Sequence, residues 1–465
     1  MEGRDRQNLD LSTSTQVATN SNSAGQSRSK ERYVPQTNSS WERIGLAALD
    51  KTLKFNNLMG HFNLNNLKAA YKALDKSKAV GIDGISKRYY GRNLEVNLQD
   101  LLERIKNGSY KPQTKRQVLI PKSDGKTRPI AISCFEDKLI EWIIGKTLTP
   151  IYEPLFIDNS FGFRPFKSAH GAIKLAFKKL KRGSKPYVVE IDFASFFNNI
   201  PHRKLMKIIS KRITDNRFKG LIGRFLKVGI LDLKEGLLFP EDGTPQGSIM
   251  SPILANIFLH EVLDLWFILN FSKRENHIIR YADDAIFLFR SKEEANEFMG
   301  ELNARTTKYG IPLNKEKSKL IDFSKSSNNH FHFLGFTFYW GKRPHSLNRP
   351  LKIKTQKTKL HKKIHEFYQW IKGVRSKMQL KWIWRIAASK LKGHYEYYGF
   401  RLNRKKLVHF YRQALKSLFK WLNRRSQKPS FSWNQFKDRL KDLPLPVPPL
   451  NVHLKVIERS KFNVT

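Results

Sequence analysis

Three aspartates set in apolar surroundings are the residues of this chain best suited to chemistry. Asp192 lies near the end of the apolar run Val188 to Phe193, and Asp283 and Asp284 stand together inside the apolar stretch Ile278 to Phe289. An acid closing one β segment, beside two acids at a hairpin turn, predicts carboxylates brought together across neighbouring strands. Converging carboxylates repel one another unless a cation offsets them, and hard Mg²⁺ prefers such oxygen ligands. The chemistry that follows is phosphoryl transfer, in which divalent ions activate a hydroxyl and steady a leaving pyrophosphate while the protein supplies little covalent help. Because side chains alternate along a strand, Asp283 and Asp284 cannot both face one ion in regular geometry, so Asp284 is the weaker ligand candidate. Taken alone, an Asp-Asp pair is often no more than favourable turn chemistry.

The elements that must hold these acids can be read outward from them. Val188 to Phe193 and Ile278 to Phe289 read as strands of one sheet, the second folded into a hairpin. Between them, Ser251 followed by Pro252 predicts an N-cap and a first helical residue. Ile253, Leu254, Ile257, Phe258 and Leu265 then form one apolar face of a long buried helix. Upstream, Gln117 to Ile120, the polar run Pro121 to Gly125 and Arg128 to Ile132 predict a basic hairpin. From about Trp41 to Gly108, residues such as Leu64, Leu67, Ala70, Tyr71 and Leu74 recur at helical spacing around a Gly81-Ile82-Asp83-Gly84 turn. Beyond about Pro350 the chain becomes helical and basic, with 32 Lys and Arg against 5 Asp and Glu over residues 341–465. Leu360, Ile364, Phe367, Ile371, Trp382 and Trp384 predict the core of a small bundle there, as a separate domain.

The whole chain asks for a polyanionic partner. Its 465 residues carry 86 Lys and Arg against 40 Asp and Glu, a formal charge of +46, and 40% hydrophobic residues suffice for packed cores. Nucleic acid is the expected partner. A membrane is disfavoured, because the most apolar stretch, Ile253 to Leu269, is interrupted by His260, Glu261 and Asp264. Cys134 is the one cysteine, which excludes intrachain disulfides and a cysteine-cluster zinc site and fits a reducing compartment. The N-terminus has no apolar run for secretion, and Glu2, Asp5 and Asp10 argue against an acid-poor transit peptide, so a cytoplasmic, nucleic-acid-associated protein is expected. Polar runs such as Ser12 to Thr15 and Asn20 to Ser23 predict a disordered tail over residues 1–45.

Several blocks of this sequence resemble those of reverse transcriptases, in the family's order. Tyr281-Ala282-Asp283-Asp284 looks like the catalytic box, and Glu190 to His202, with Asp192, Phe196 and Phe197, looks like the preceding metal-binding motif. Gly243 to Asn256, with Gln246, Gly247 and Ser251-Pro252, is close to the nucleotide-gripping motif of group II intron reverse transcriptases. Phe161-Gly-Phe-Arg164-Pro165, Ile120-Pro-Lys122 with Arg128-Pro129, Leu313-Asn314 with Lys317, and Phe333-Leu334-Gly335-Phe336 match further blocks, and Trp421 to Ser426 resembles the thumb or maturase region. The likeness spans about Gly81 to Phe336. Ser248 and Asn198 depart from the group II pattern, without removing a metal ligand. Ser251-Pro252 argues against the diversity-generating relatives, and the stretch after about Pro449 is too short for an added endonuclease domain.

The resemblance implies an α+β right-hand polymerase, with fingers and palm built on antiparallel sheet and a basic α-helical thumb or maturase domain. It places fingers over 56–185, palm over 186–345, thumb over 350–440 and a short basic tail over 441–465. It implies RNA-directed DNA synthesis on an RNA template with a DNA primer and deoxynucleoside triphosphates, using two Mg²⁺ ions with Mn²⁺ as a substitute. It also implies binding and splicing assistance to the protein's own group II intron RNA. The alternatives are a free-standing reverse transcriptase in defence or repair and a splicing-only RNA-binding cofactor. Asp192, Asp283, Asp284 and the backbone of Phe193 would hold metal. Lys122, Arg128, Phe193, Phe197, Gln246 and Gly247 would bind the nucleotide, Phe197 as the wall that a 2′-hydroxyl would strike. Leu334, Gly335 and Phe336 would grip the primer end.

Overall fold

A computed structural model of the protein describes residues 40–121, 127–232, 236–239, 241–341, 349–425 and 431–449. Lys122, nearly all of the expected polar tail and the end of the basic tail lie outside these. In chain order the helices are α1 Ser40–Ala47, α2 Leu64–Ala73, α3 Lys87–Tyr90, α4 Leu94–Lys106, α5 Phe135–Tyr152, α6 Ala169–Leu180, α7 His202–Ser210 and α8 Asn216–Leu226. They continue with α9 Ser251–Leu259, α10 Leu265–Phe271, α11 Lys292–Tyr309, α12 Lys357–Val374, α13 Leu380–Tyr398, α14 Arg404–Leu422 and α15 Trp433–Asp442. The strands are β1 Lys115–Pro121, β2 Thr127–Ile132, β3 Tyr187–Ile191, β4 Ile230–Asp232, β5 Gly236–Leu238, β6 His277–Tyr281, β7 Asp284–Phe289, β8 Lys319–Asp322, β9 His330–Phe333, β10 Phe336–Trp340 and β11 Leu351–Thr355.

Three sheets result, ordered β2-β1-β4-β5, β6-β7-β3-β8 and β11-β10-β9. The second is the palm sheet, and it is antiparallel throughout, because β3 inserts between the β6–β7 hairpin and β8. Its alternating side chains divide the molecule into two cores. Val189, Ile191, Phe287 and Phe289 face α5, α9, α10 and α11 in the first core. Val188, Ile286, Leu288 and Ile279 face α6, the β9–β11 sheet and helices α12 to α14 in the second. The basic helical region is therefore not closed on itself as a separate domain, because its bundle core is continuous with the outer face of the palm sheet. The described residues form one compact unit.

Particular expectations are corrected. Residues 40–45 are not tail but the start of α1, with Ile44 buried against the first core. The β1–β2 hairpin forms as read, yet β1 also pairs in parallel with β4, so the fingers sheet is not purely antiparallel. Ser251 does not cap its helix: Met250 holds that position, and the Ser251 hydroxyl donates to the Pro245 carbonyl at 2.9 Å. A π-helical turn at His260–Asp264 separates α9 from α10 and brings the three polar residues that interrupt the apolar run onto a bulge. Ser251–Arg274 is long and apolar enough to cross a membrane by length and composition, and most of it is buried inside this fold. Trp382 is exposed rather than core, since Ile383, Ala387 and Leu391 take the inward positions of α13. Residues 441–449 are not simply a tail: Leu445 is buried and the Leu443 carbonyl accepts from the Trp384 indole at 3.0 Å.

Candidate active site

Strands β6 and β7 pair in the register Tyr281 opposite Asp284, which leaves Ala282 and Asp283 as a two-residue turn. Ala282 carries φ 57°, a left-handed conformation that a β-carbon disfavours. What holds the turn lies beneath it. The Arg280 guanidinium, fully buried, donates to the Ala282 carbonyl at 3.0 Å and to Asn256 Oδ1 at 3.0 Å, and makes a two-pronged pair with Asp264 at 2.7 and 2.5 Å. Burial works against the Asp264 charge, but Arg280 and His260 more than offset it and hold the carboxyl below its ordinary range. Asn256 also donates to the Gly162 carbonyl at 2.7 Å. A β-carbon on Gly162 would stand 2.3 Å from the Ala282 amide nitrogen, so only glycine lets the 161–165 loop lie against the turn. Arg164 fixes that loop from the other side, bonding Glu153 and the carbonyls of Ile157 and Ser160.

The three aspartates occupy the open end of the sheet. Desolvation raises the Asp283 carboxyl above its ordinary value, with Arg128 partly opposing and Asp192 reinforcing the shift. Asp284 is raised to about 7, by desolvation first and by the Asp283 charge next, while the Leu334 amide donates to it. Asp192 is about half exposed and pairs with Lys317 at 3.4 Å. Among the described residues no three acidic, histidine or cysteine side chains stand arranged to hold a metal ion, although the Asp192 charge reaches both Asp283 and Asp284. Asp192 pairs with Lys317, and Asp284 feels the charges of Asp283, Glu190 and Asp192 while accepting from the Leu334 amide. Phe193 buries its ring against Phe196, and its bridge to Leu313 is flanked by the bonds Ala194 N to Pro312 O and Asn314 N to Asp192 O. In such a pair the residue's own carbonyl points away from Leu313, toward the side of the sheet where β7 lies. Oxygen donors alone, two of them partly buried carboxylates whose ionisation the protein opposes, suit a hard divalent cation.

The residues assigned to the nucleotide approach from two other elements. Arg128 is exposed on β2 and close enough to Asp283 to lower its carboxyl. Phe197 is half-buried beside Phe196, which is core. The Gly243–Gly247 loop is stitched between them: Thr244 N donates to Phe197 O at 2.6 Å, and Ala131 N donates to Gln246 O at 2.6 Å. Gly247, at φ 109°, has room for no β-carbon, since Ala131 O would lie 2.7 Å away. Gln246, Thr244, Asn198, Ala131 and Gln117 line a cavity of about 250 Å³ between this loop and the fingers hairpin. The loop is anchored by Glu141, which is fully buried, pairs with Lys115 at 2.8 Å and accepts from the Ile249 amide.

Residues 120–338 match the model of the family described as reverse transcriptase (RNA-dependent DNA polymerase). Over these residues the chain is similar to a reverse transcriptase domain. Among curated relatives, Protein YkfC of Escherichia coli is 38% identical over 185 residues, 39% of this chain and 48% of that protein. Group II intron-encoded protein LtrA of Lactococcus lactis is 39% identical over 196 residues, 42% of this chain and 32% of that protein. An uncharacterised 91 kDa protein in the cob intron of Schizosaccharomyces pombe is 36% identical over 209 residues, 44% of this chain and 25% of that protein. The chain thus spans about half or less of the length of these relatives. The structure of a Candida albicans telomerase aligns over 77% of this chain and 66% of that one with TM-score 0.43 and 13% identity.

Behind the Ala282–Asp283 turn lies the β9–β10 turn, where Leu334 (φ 48°) and Gly335 (φ 78°) are both left-handed. Its position is set by the helical region: Tyr397 donates to the Leu334 carbonyl at 3.1 Å, and Phe336 is buried among the rings of Tyr397, Tyr398 and Phe400. Trp384 and Tyr397 are thus engaged in the fold, whereas Trp382 stays exposed beneath Arg385. Sequence reading missed Arg280 and Glu141 and took Asp264 only as an interruption of the apolar run. A signal existed for two of them: an arginine in an apolar hairpin and an acid in the most apolar helix each need a buried partner.

Proposed function

We propose that this chain is an RNA-directed DNA polymerase that extends a DNA primer on an RNA template from deoxynucleoside triphosphates. The observation that carries the reading is the pair Asp283 and Asp284, partly buried at the turn of the β6–β7 hairpin in a setting that opposes their charge. Asp192, Asp283 and the Phe193 carbonyl would hold Mg²⁺, or Mn²⁺ in its place, with Asp284 supporting. When bound, a pair of such ions activates the primer 3′-hydroxyl and steadies the leaving pyrophosphate. The chain's own part is placement and charge. Arg128 would clamp the triphosphate as a two-pronged donor, aided by Lys122. Gln246 and Gly247 would lie against the incoming nucleotide and Phe197 against its sugar, where a 2′-hydroxyl would clash. Leu334, Gly335 and Phe336 would steady the primer end. The test is extension of a DNA primer annealed to RNA: activity should need Mg²⁺ or Mn²⁺ and should fall about a thousandfold or more in Asp283→Ala. Undiminished extension by that variant overturns the assignment.

A maturase role is the second part of the proposal, supported by the exposed basic surface of α12 to α15 and by the likeness to an intron-encoded protein. Such a surface holds any RNA through its phosphates, so affinity alone does not report it. The chain should prefer its own intron over a scrambled RNA of equal length at high salt and promote splicing at low Mg²⁺, with Asp283→Ala still active in splicing. Equal affinity for both RNAs with no splicing stimulation leaves a free-standing, cytoplasmic reverse transcriptase.

A further inference from the structure

The sheet β9–β10–β11 has one face in the second core and one outside it. Phe331, Phe333, Phe336, Phe338, Trp340, Leu351 and Ile353 are buried on the inner face. The register lines up the outward residues in two rows across the strands, His332–Thr337–Lys354 and His330–Tyr339–Lys352. Side chains opposite one another in a sheet act together. Here all but Lys352 frame a cavity of about 620 Å³ that extends to Gln356 and Lys357 at the start of α12. No acid lines it among the described residues. Lys354 Nζ stands 4.4 Å over the Tyr339 ring, and neither Lys354 nor Lys357 has a carboxylate within ion-pair distance among the described residues. Arg349, by contrast, is spent on the carbonyls of Lys325, Ser327 and Trp340 and is structural. The Glu190 carboxylate nearby is engaged by the His332 amide and by Lys319.

We propose that this outer face binds a single-stranded stretch of nucleic acid, with Lys354 and Lys357 on its phosphates and Tyr339 under a base, outside the cleft of the catalytic aspartates. Cations beside a stacking ring in an open groove are the recipe for sequence-tolerant single-strand binding. A small anion has no use for the ring, and a basic protein partner is repelled. The site abuts the catalytic palm, since the His332 amide bonds Glu190, two residues before Asp192 on β3. It rests on the polymerase reading only in that nucleic acid is the ligand.

The test uses the full chain, a labelled oligouridine RNA and a short RNA–DNA hybrid that has no single-stranded overhang beyond the nucleotides to be copied. Lys354→Ala with Lys357→Ala should weaken oligouridine binding and flatten the slope of log affinity against log salt by about 1.4, the loss of two single-strand phosphates. Tyr339→Ala should cost about tenfold in affinity with the slope unchanged. Lys→Arg at both positions should restore the slope, and extension on the short hybrid should stay at the wild-type level in every variant. Unchanged binding in both alanine variants overturns the proposal, as does equal loss of binding by Lys→Arg or competition by inorganic phosphate alone. If no variant, wild type included, extends a primer, the polymerase reading fails while the binding slopes still report on this face.

Discussion

Arg280 and Asp283 stand three residues apart on one hairpin, and the protein handles their charges in opposite ways. Arg280 is sealed from water, and each prong of its guanidinium is matched by Asp264, Asn256 or the Ala282 carbonyl. Asp283 and Asp284 are only partly buried, yet desolvation and like charge push their carboxyls up rather than down. The closed pair fixes a backbone; the open pair leaves a demand for positive charge at the point where that backbone turns. A closed pair is a structural device and an open one a functional device, and the distinction predicts opposite signs for mutations at neighbouring positions.

The largest effect should come from breaking the closed pair. Arg280→Met leaves Asp264 buried without its guanidinium partner, at a cost of about 3–5 kcal/mol in unfolding free energy. Adding Asp264→Leu should recover most of the loss, because the second change removes the stranded charge. Denaturant titration of both variants checks this, and equal instability of the single and double variants would show that the pair positions the turn rather than neutralising a charge. The open pair should behave the other way. A carboxyl raised to about 7 keeps its proton in the folded chain while the unfolded chain has already released it, so stability falls as pH rises from about 4 to 7 and the deficit is complete above that. Asp284→Asn removes the deficit. Since the carboxyl keeps some access to solvent, the gain at pH 8 should be about 2 kcal/mol, shrinking toward pH 5. Mg²⁺ should narrow the gap by stabilising the wild type more than the variant, and a variant less stable than wild type at pH 8 would refute the comparison.

The two devices were unequally legible in the sequence. Asp192, Asp283 and Asp284 are marked by local pattern, an acid ending an apolar strand and two acids at an apolar hairpin, and the same locality exposed the β1–β2 hairpin and the helix after Pro252. Arg280 and Asp264 are 16 residues apart and meet only because a π-helical turn rotates Asp264 inward, which no 3.6-residue period foretells. Glu141 reaches back to Lys115 and forward to the Ile249 amide, and Tyr397 reaches Leu334 across 63 residues. The parallel pairing of β1 with β4 likewise joins distant segments. Where apolar spacing was read correctly the phase still slipped, as at Trp382, because adjacent Trp382, Ile383 and Trp384 offer three choices of inward face. Long-range polar pairing is what sequence alone hid, and it is what builds the closed device.

The smallest effect concerns strain beside the same turn. Phe163 (φ 55°) and Phe166 (φ 59°) both hold left-handed backbone in the loop packed against Ala282, and Phe166 is fully exposed, so its ring gains nothing from burial to offset the strain. A left-handed non-glycine residue costs of order 1 kcal/mol, which glycine escapes. Glycine also loosens the unfolded chain, which cancels part of the benefit. Two substitutions separate the backbone from the ring. Phe166→Ala keeps the strain and removes an exposed ring, so stability should barely move. Phe166→Gly removes both, and should be more stable than Phe166→Ala by about 0.5 kcal/mol once the unfolded-state term is subtracted. Thermal melting of the pair measures the difference directly. Equal stability would mean that the loop adopts its left-handed turn without cost. The strain beside the open device would then be confined to Ala282, whose carbonyl Arg280 holds.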